Sequence, residues 1–394
     1  MKIGFIGNMN NYPFTLALAL REQGADVRFL VDSTYPLCRP EARFAESGGY
    51  GDWIFDLAPM RTWDVVLPTP KRRRALRLLA DRDAIVANNW GIALSALTDK
   101  PSFAISTGSD LDTLANEQYL DRIGEEGGAN WSSSLRNASK HWLYRRLIPL
   151  QREGFRRALG VEYAWPGILP HGDRLLAEIG VARERRHSFM LTDLDQLKRT
   201  PPPGNPVPRV LVVARVNWKE PLPPGFSVLD NKRTDIFLEG AARYVRSGHP
   251  LQIRLFRKGL HLRETEALIA RLGFDEHVVW LDEMPQADFV RQIAEADIVA
   301  DHFGEGTIGI GARDSFAIGR PVIAGADPAL FQDHAGESLP IVNARDPGEV
   351  EAALHRLRDP RLREEVADRA RRFAERHFST ASAARVILDV FERS

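Results

Sequence analysis

The chain has 394 residues, 44% hydrophobic and 27% charged, with 53 basic and 53 acidic side chains and a formal net charge of zero. That length exceeds one ordinary core and points to two or three globular domains. Zero net charge removes any global electrostatic case for nucleic acid, and one cysteine, Cys38, excludes an internal disulfide and a cysteine-based zinc cluster.

The opening KIGFIG (2–7) reads as a buried parallel strand closed by Gly7, not as a signal peptide, because it lacks a long apolar run and a cleavage pattern. A turn follows at 8–13, then helical spacing from Thr15 to Gln23 and a second strand, DVRFLV (26–31). This β-loop-α-β unit is Rossmann-like. The pattern recurs at DAIVANN (83–89) and PSFAIST (101–107), and a charged helical region covers about 138–159. TPPPGNPVP (200–208) cannot continue a helix or a central strand and reads as a linker. Beyond it strands at 209–215, 251–256, 277–281, 297–301 and 321–325 alternate with helices at 234–247, 263–272, 286–295 and 309–318. Three further helices are expected near 348–357, 360–376 and 380–392. The fold class is therefore α/β, with two Rossmann-like parallel-sheet domains, 1–199 and 209–378, facing a central cleft, and a last helix within 379–394. No segment approaches ~18 consecutive apolar residues, so no helix spans a membrane and a cytoplasmic address is expected.

The chemistry concentrates in DHFGEGTIGIGARDSFAIGRPVIAG (301–325). Its glycines allow positive φ and close approach to a ligand. Loop amides at Gly306, Thr307, Ile308 and Gly309, together with the helix start, then face an anion such as a diphosphate. Asp314, about one turn into the helix, either accepts hydrogen bonds from ribose hydroxyls or is a solvated helix residue on a tight turn. Arg215 and Lys232 are cations at a strand end and a helix start, suited to a diphosphate as charge develops on it, or surface charges that never meet the cleft. Arg257 and Lys258 end another strand, and Lys219 rivals Lys232. In the first half, Gly7 and Asn8 open a loop that offers amides at the ligand-binding strand edge, or form a plain Asn-rich turn. Asp110, after PSFAIST-Gly108-Ser109, binds an acceptor hydroxyl, orients the loop or caps the next helix.

The segment from Asp314 to Ile323 (DSFAIGRPVI) resembles the signature of group 1 (family 4) retaining glycosyltransferases of GT-B architecture, with Asp314 in place of the usual Glu. Asp301-His302-Phe303 and Gly306-Thr307-Ile308-Gly309 resemble the D-Q-F and Gly-x-x-Gly turn of one subgroup. The likeness covers about 209–394 well and the first half loosely. It implies a nucleotide diphosphate sugar donor bound through Arg215, Lys232, the Gly-turn and Asp314. It also implies an acceptor on the N-terminal domain, retention at the anomeric carbon, and no cofactor or bound metal. Two departures stand out. The family's first acid falls at Gly306, so Glu305 is one residue displaced. Its usual His before G-[ST]-D is Thr107, which leaves Asp110. Two other functions fit this architecture: a nucleotide-sugar epimerase, or a partner subunit that kept the nucleotide site without activity. The run Lys71-Arg72-Arg73-Arg74 is a solvated helix face or a weak contact with the inner, anionic membrane surface. No nucleic-acid partner is expected.

Overall fold

The computed structural model describes residues 1–42, 51–125, 131–194, 196–223, 226, 228–304 and 307–393. The chain forms two compact units, Met1–Phe189 with Thr380–Ser394, and Met190–Ser379.

In the first unit the strands are β1 (Lys2–Ile6), β2 (Asp26–Val31), β3 (Ile54–Asp56), β4 (Ala84–Asn88), β5 (Ser102–Ile105), β6 (Gly160–Glu162) and β7 (Arg186–His187). Its helices are α1 (Tyr12–Glu22), α2 (Thr62–Val66), α3 (Pro70–Leu79), α4 (Trp90–Ser95), α5 (Ser109–Asp112), α6 (Gln118–Glu125), α7 (Trp131–Arg157) and α8 (Pro170–Ile179). The sheet is parallel, in the order β3-β2-β1-β4-β5-β6-β7. Phe5 of β1 stands between Phe29 and Val86 in register. All three are fully or almost fully buried, as expected of a strand covered on both faces. Each such side chain contributes roughly 1.5–3 kcal/mol of burial.

The second unit contains β8 (Arg209–Val212), β9 (Gln252–Phe256), β10 (Val278–Leu281), β11 (Ile298–Ala300), β12 (Val322–Ala324) and β13 (Val342–Asn343). Its helices are α9 (Thr234–Arg246), α10 (Leu262–Leu272), α11 (Gln286–Ala294), α12 (Ile310–Ile318), α13 (Pro328–Ala335), α14 (Pro347–Arg356) and α15 (Pro360–His377). This sheet is also parallel, in the order β10-β9-β8-β11-β12-β13. Helix α16 (Thr380–Glu392) belongs to the first unit, where it packs along α1 and Ala381 O accepts from Gln23 Nε2 at 2.8 Å.

Several boundaries differ from the sequence expectation for local reasons. Helix α1 begins at Tyr12, three residues before Thr15, because Asn10 and Asn11 take left-handed φ values of 55° and 57° and turn the chain early. Strand β8 ends at Val212, so Arg215 lies in the following loop and not at the strand end. The short strands β3, β6, β7 and β13 carry too few residues for a periodic signal.

The Pro-rich stretch at 200–208 begins attached to the second unit. Thr200 N donates to Ile318 O at 3.0 Å, while the guanidinium of Arg320 reaches Thr200 O at 3.0 Å, Pro201 O at 2.8 Å and Ala294 O at 2.6 Å. Arg320 is 2% exposed. Burial lowers its pKa to about 10, and it remains a cation that gathers carbonyls no local element could satisfy.

Candidate functional site

In both sheets the strand order reverses between two central neighbours, β1 and β4 in one unit and β8 and β11 in the other. Ligands of such sheets bind beyond the carboxyl ends of the strands at that reversal. In the second unit the loops after β8 and β11 meet there through Lys232. Its N–H donates to Asn217 O at 2.6 Å, and its carbonyl accepts from Phe303 N at 2.9 Å. Lys232 Nζ donates to Leu229 O. Burial holds its pKa below that of an ordinary lysine, and nearby Arg215 adds to the effect, while Asp301 and Asp230 oppose it. Arg215 is exposed and has no ion-pair partner among the described residues. The structure therefore brings Arg215, Lys232 and Asp301 together. Lys219 is exposed and lies apart in its bonding, its N–H donating to His261 Nδ1 at 3.2 Å. Arg257 pairs with Glu266 at 2.8 Å and Lys258 with Glu283 at 2.9 Å, so both have surface carboxylate partners.

Among the described glycines of 301–325, Gly319 takes φ 82° as the C-cap of α12, while the glycines of the loop before that helix act differently from the sequence reading. Gly309 has φ −81° and ψ 176°, ordinary extended backbone, and the described glycines Gly304, Gly311 and Gly325 are not among the positive-φ residues either. Their requirement is close packing. A Cβ on Gly304 would lie 2.1 Å from Asn231 O, on Gly311 2.7 Å from Val213, and on Gly325 2.9 Å from the Phe303 backbone. These contacts press the loop after β11 onto the Lys232 segment.

Gly309 is the N-cap of α12, and its N–H donates to Asp301 Oδ2 at 2.5 Å. That amide is occupied by the chain's own carboxylate, which leaves Thr307 and Ile308, whose amides have no hydrogen-bond partner among the described residues. Glu305 and Gly306 lie outside the described residues. Asp314 is 1% exposed, not a solvated helix residue, and its Oδ2 lies 3.4 Å from Gln286 Nε2.

The sequence places His302 in the Asp301-His302-Phe303 resemblance but assigns it no role. It is 5% exposed, its Nε2 is 4.0 Å from Asp301 Oδ2, and its Nδ1 is buried without a partner among the described residues. Burial lowers its pKa to about 4, so it is neutral at physiological pH. A lone histidine after a strand gives no periodic signal for its burial.

In the first unit Gly7 and Asn8 serve the fold. Gly7 has φ 91°, and a Cβ there would be 1.9 Å from Asn88 O, so only glycine lets β1 turn against β4. Asn8 is 1% exposed. Its Nδ2 donates to Asn11 Oδ1 at 2.6 Å and to Cys38 O at 2.9 Å, and its Oδ1 accepts from Phe14 N at 3.2 Å. The side-chain amide expected at the strand edge thus faces inward. Asp110 is fully buried. It accepts from the amides of Thr107, Gly108 and Leu111 at 3.0–3.1 Å, from Ser106 Oγ at 3.1 Å and from Asn88 Nδ2 at 3.2 Å. It orients the loop after β5; the N-cap of α5 is Gly108.

On α3, Lys71 Nζ donates to Pro59 O and Arg72 Nη1 to Val65 O at 3.1 Å, while Arg73 and Arg74 are exposed. Among the described residues, no helix is long and apolar enough to cross a membrane, and no group of three or more His, Cys, Asp or Glu could hold a metal ion.

Two parallel-sheet Rossmann-like units of seven and six strands define the chain as an α/β protein of GT-B type. No protein-family model and no curated protein sequence matches it. Solved structures do. Sucrose-phosphate synthase from Thermosynechococcus elongatus is similar at TM-score 0.61 and 15% identity, covering 100% of this chain and 98% of its own. A glycosyltransferase from Rickettsia africae ESF-5 is similar at TM-score 0.63 and 11% identity, covering 100% and 97%. UDP-GlcNAc 2-epimerase from Neisseria meningitidis, solved with UDP-GlcNAc bound, is similar at TM-score 0.55 and 11% identity, covering 100% of both chains. At these identities the likeness establishes the fold, and function rests on the site.

Proposed function

We propose that the protein transfers a sugar from a nucleotide diphosphate sugar to an acceptor hydroxyl, with retention at the anomeric carbon. The observation that carries the reading is the meeting of Lys232 and Arg215 at the β8–β11 reversal, beside a loop that presents the Thr307 and Ile308 amides. A lysine whose charge is disfavoured by burial, only partly offset by Asp301 and Asp230, next to an exposed arginine, favours an anion at this point. The leaving nucleotide diphosphate supplies that anion, and the two cations stabilise it as the glycosidic bond breaks. Asp314 is proposed to hold the ribose, and the cations to make a bound metal unnecessary. Retention rests on the sequence resemblance.

A thermal-shift screen with UDP, GDP, ADP and TDP tests the donor site by mass action. Stabilisation by one of them is expected; none stabilising would remove the basis of the reading. Loss of turnover in EDTA would refute metal independence, and an inverted product anomer would refute retention. A second reading, epimerisation of the nucleotide sugar, is compatible with the same fold, which an epimerase shares over its full length. Incubating the donor alone separates the two: an isomerised nucleotide sugar supports the epimerase, released nucleotide the transferase.

A further inference from the structure

Helix α15 buries Val366, Ala370, Phe373 and Ala374 and turns Arg369, Arg372 and Arg376 to solvent on another face. These arginines are spaced i, i+3, i+7, so neighbouring Cβ atoms stand about 5–6 Å apart, and like charges at that spacing repel. Carboxylates relieve other arginines of the helix. Arg371 pairs with Glu375 at 2.7 Å, and Arg376 grips both oxygens of Glu337, after α13, at 2.6 and 2.7 Å. Arg369 and Arg372 have neither an ion pair nor a hydrogen-bond partner among the described residues.

An exposed arginine on a convex surface is satisfied by water, but these two line a cavity of about 300 Å3, at the small end of the range for ligand pockets. One side of the cavity is apolar. Pro328, the first residue of α13, and Leu339, Pro340 and Ile341, which lead into β13, form it; Leu339 is buried and the others are half-buried. On the same segment the main-chain N–H groups of Ser338 and Leu339 have no hydrogen-bond partner among the described residues. Glu337 is the one acid among the described residues that line the cavity, and its carboxylate is occupied by Arg376 and by His377 Nε2 at 2.7 Å. The lining therefore carries an excess of positive charge with nothing of its own to answer Arg369 and Arg372.

We infer that Arg369, Arg372 and the segment 338–341 form a binding site for a small phosphate monoester with an apolar body. A guanidinium presents its N–H donors on a fixed fork, and a phosphate dianion has three terminal oxygens with which to accept from two forks at once. A carboxylate fills one fork and leaves the second charge unanswered. The Ser338 and Leu339 amides are further donors on the opposite wall, and the proline and leucine side chains cover the body of the ester. The site shares no residue with the group at the β8–β11 reversal and does not rest on the transferase reading.

The test is proton–nitrogen NMR of the full chain with labelled arginine, titrated with phenyl phosphate at about pH 8, above the second pKa of such an ester at about 6. The Nε–H signals of Arg369 and Arg372 are assigned by their absence in Arg369→Gln and Arg372→Gln. Phenyl phosphate is expected to move both signals saturably and to bind more tightly than inorganic phosphate, with affinity falling as salt is added. The double variant Arg369→Gln with Arg372→Gln is expected to weaken binding about tenfold or more. If the double variant fails to fold, Arg372→Gln alone is read, with about fivefold expected. Lys232→Met should bind phenyl phosphate as the wild type does. The assignment is overturned if neither arginine signal moves, if the arginine variants bind with unchanged affinity, or if inorganic phosphate binds as tightly as the ester. Loss of binding in Lys232→Met would place the anion at the β8–β11 reversal and overturn it as well.

Discussion

Replacing Lys232 by methionine removes one charge while keeping the stem that fills its half-buried position. Two effects follow, with opposite signs. In the free protein the ammonium is disfavoured by burial, so Lys232→Met leaves stability unchanged or raises it slightly. In the nucleotide complex the ammonium meets a diphosphate, and a hydrogen bond to a charged group contributes about 1.5–3 kcal/mol. Its loss weakens nucleotide affinity by about 10- to 150-fold. Arg215 is exposed and screened, so Arg215→Ala costs less, roughly 1 kcal/mol or about fivefold. The pH dependence has a defined sign. The lysine's pKa is depressed in the free protein and is restored by the bound anion, so binding takes up a proton and affinity falls as pH rises through the depressed value. Lys232→Met abolishes that dependence. Calorimetry with the nucleotide selected by thermal shift, in two buffers of different ionisation enthalpy, measures both quantities. A Lys232→Met protein that folds and binds within about twofold of wild type would refute the argument.

The remaining predictions concern the frame around the site. His302 titrates at about 4 in the folded chain against 6.5 unfolded, so the unfolded state binds more protons between those values. Stability should therefore rise by as much as roughly 3 kcal/mol from pH 4 to 6.5. Denaturant melts of His302→Asn should show this acid-side slope flattened, and an unchanged slope counts against the assignment. Arg320→Met strips the partners from buried carbonyls at Thr200, Pro201 and Ala294. A cost of about 3 kcal/mol, roughly 6–12 °C in Tm, is expected, and a Tm unchanged by calorimetry would show that the clamp is dispensable. Asp110→Asn places an amide donor among the N–H groups of Thr107, Gly108 and Leu111. It should destabilise the protein by roughly 3 kcal/mol, read from urea midpoints. Gly304→Ala drives a methyl against Asn231 O and should lower both Tm and nucleotide affinity, since the displaced segment holds Lys232; an effect on neither would show the packing to be slack.

Local sequence determines most of the frame of this protein. Apolar runs such as KIGFIG and RVLVVAR can satisfy themselves only as buried parallel strands, and the 3.6-residue spacing between them specifies the crossover helices. That order already implies two Rossmann-like halves. The positions of Arg215 and Lys232 were legible only approximately, since Arg215 lies three residues beyond β8 and Lys232 two residues before α9. Tertiary structure alone decided which polar groups are available. Asn8, Asp110 and Gly309 look ligand-ready in the sequence, but Cys38, the loop after β5 and Asp301 occupy their hydrogen-bonding capacity. His302 has no role assigned by the sequence, but its Nδ1 is buried without a partner among the described residues. A hydrogen bond depends on groups far apart in the chain meeting within about 3 Å. Periodicity along the chain carries the direction a side chain takes from its own backbone and holds no record of what it meets there.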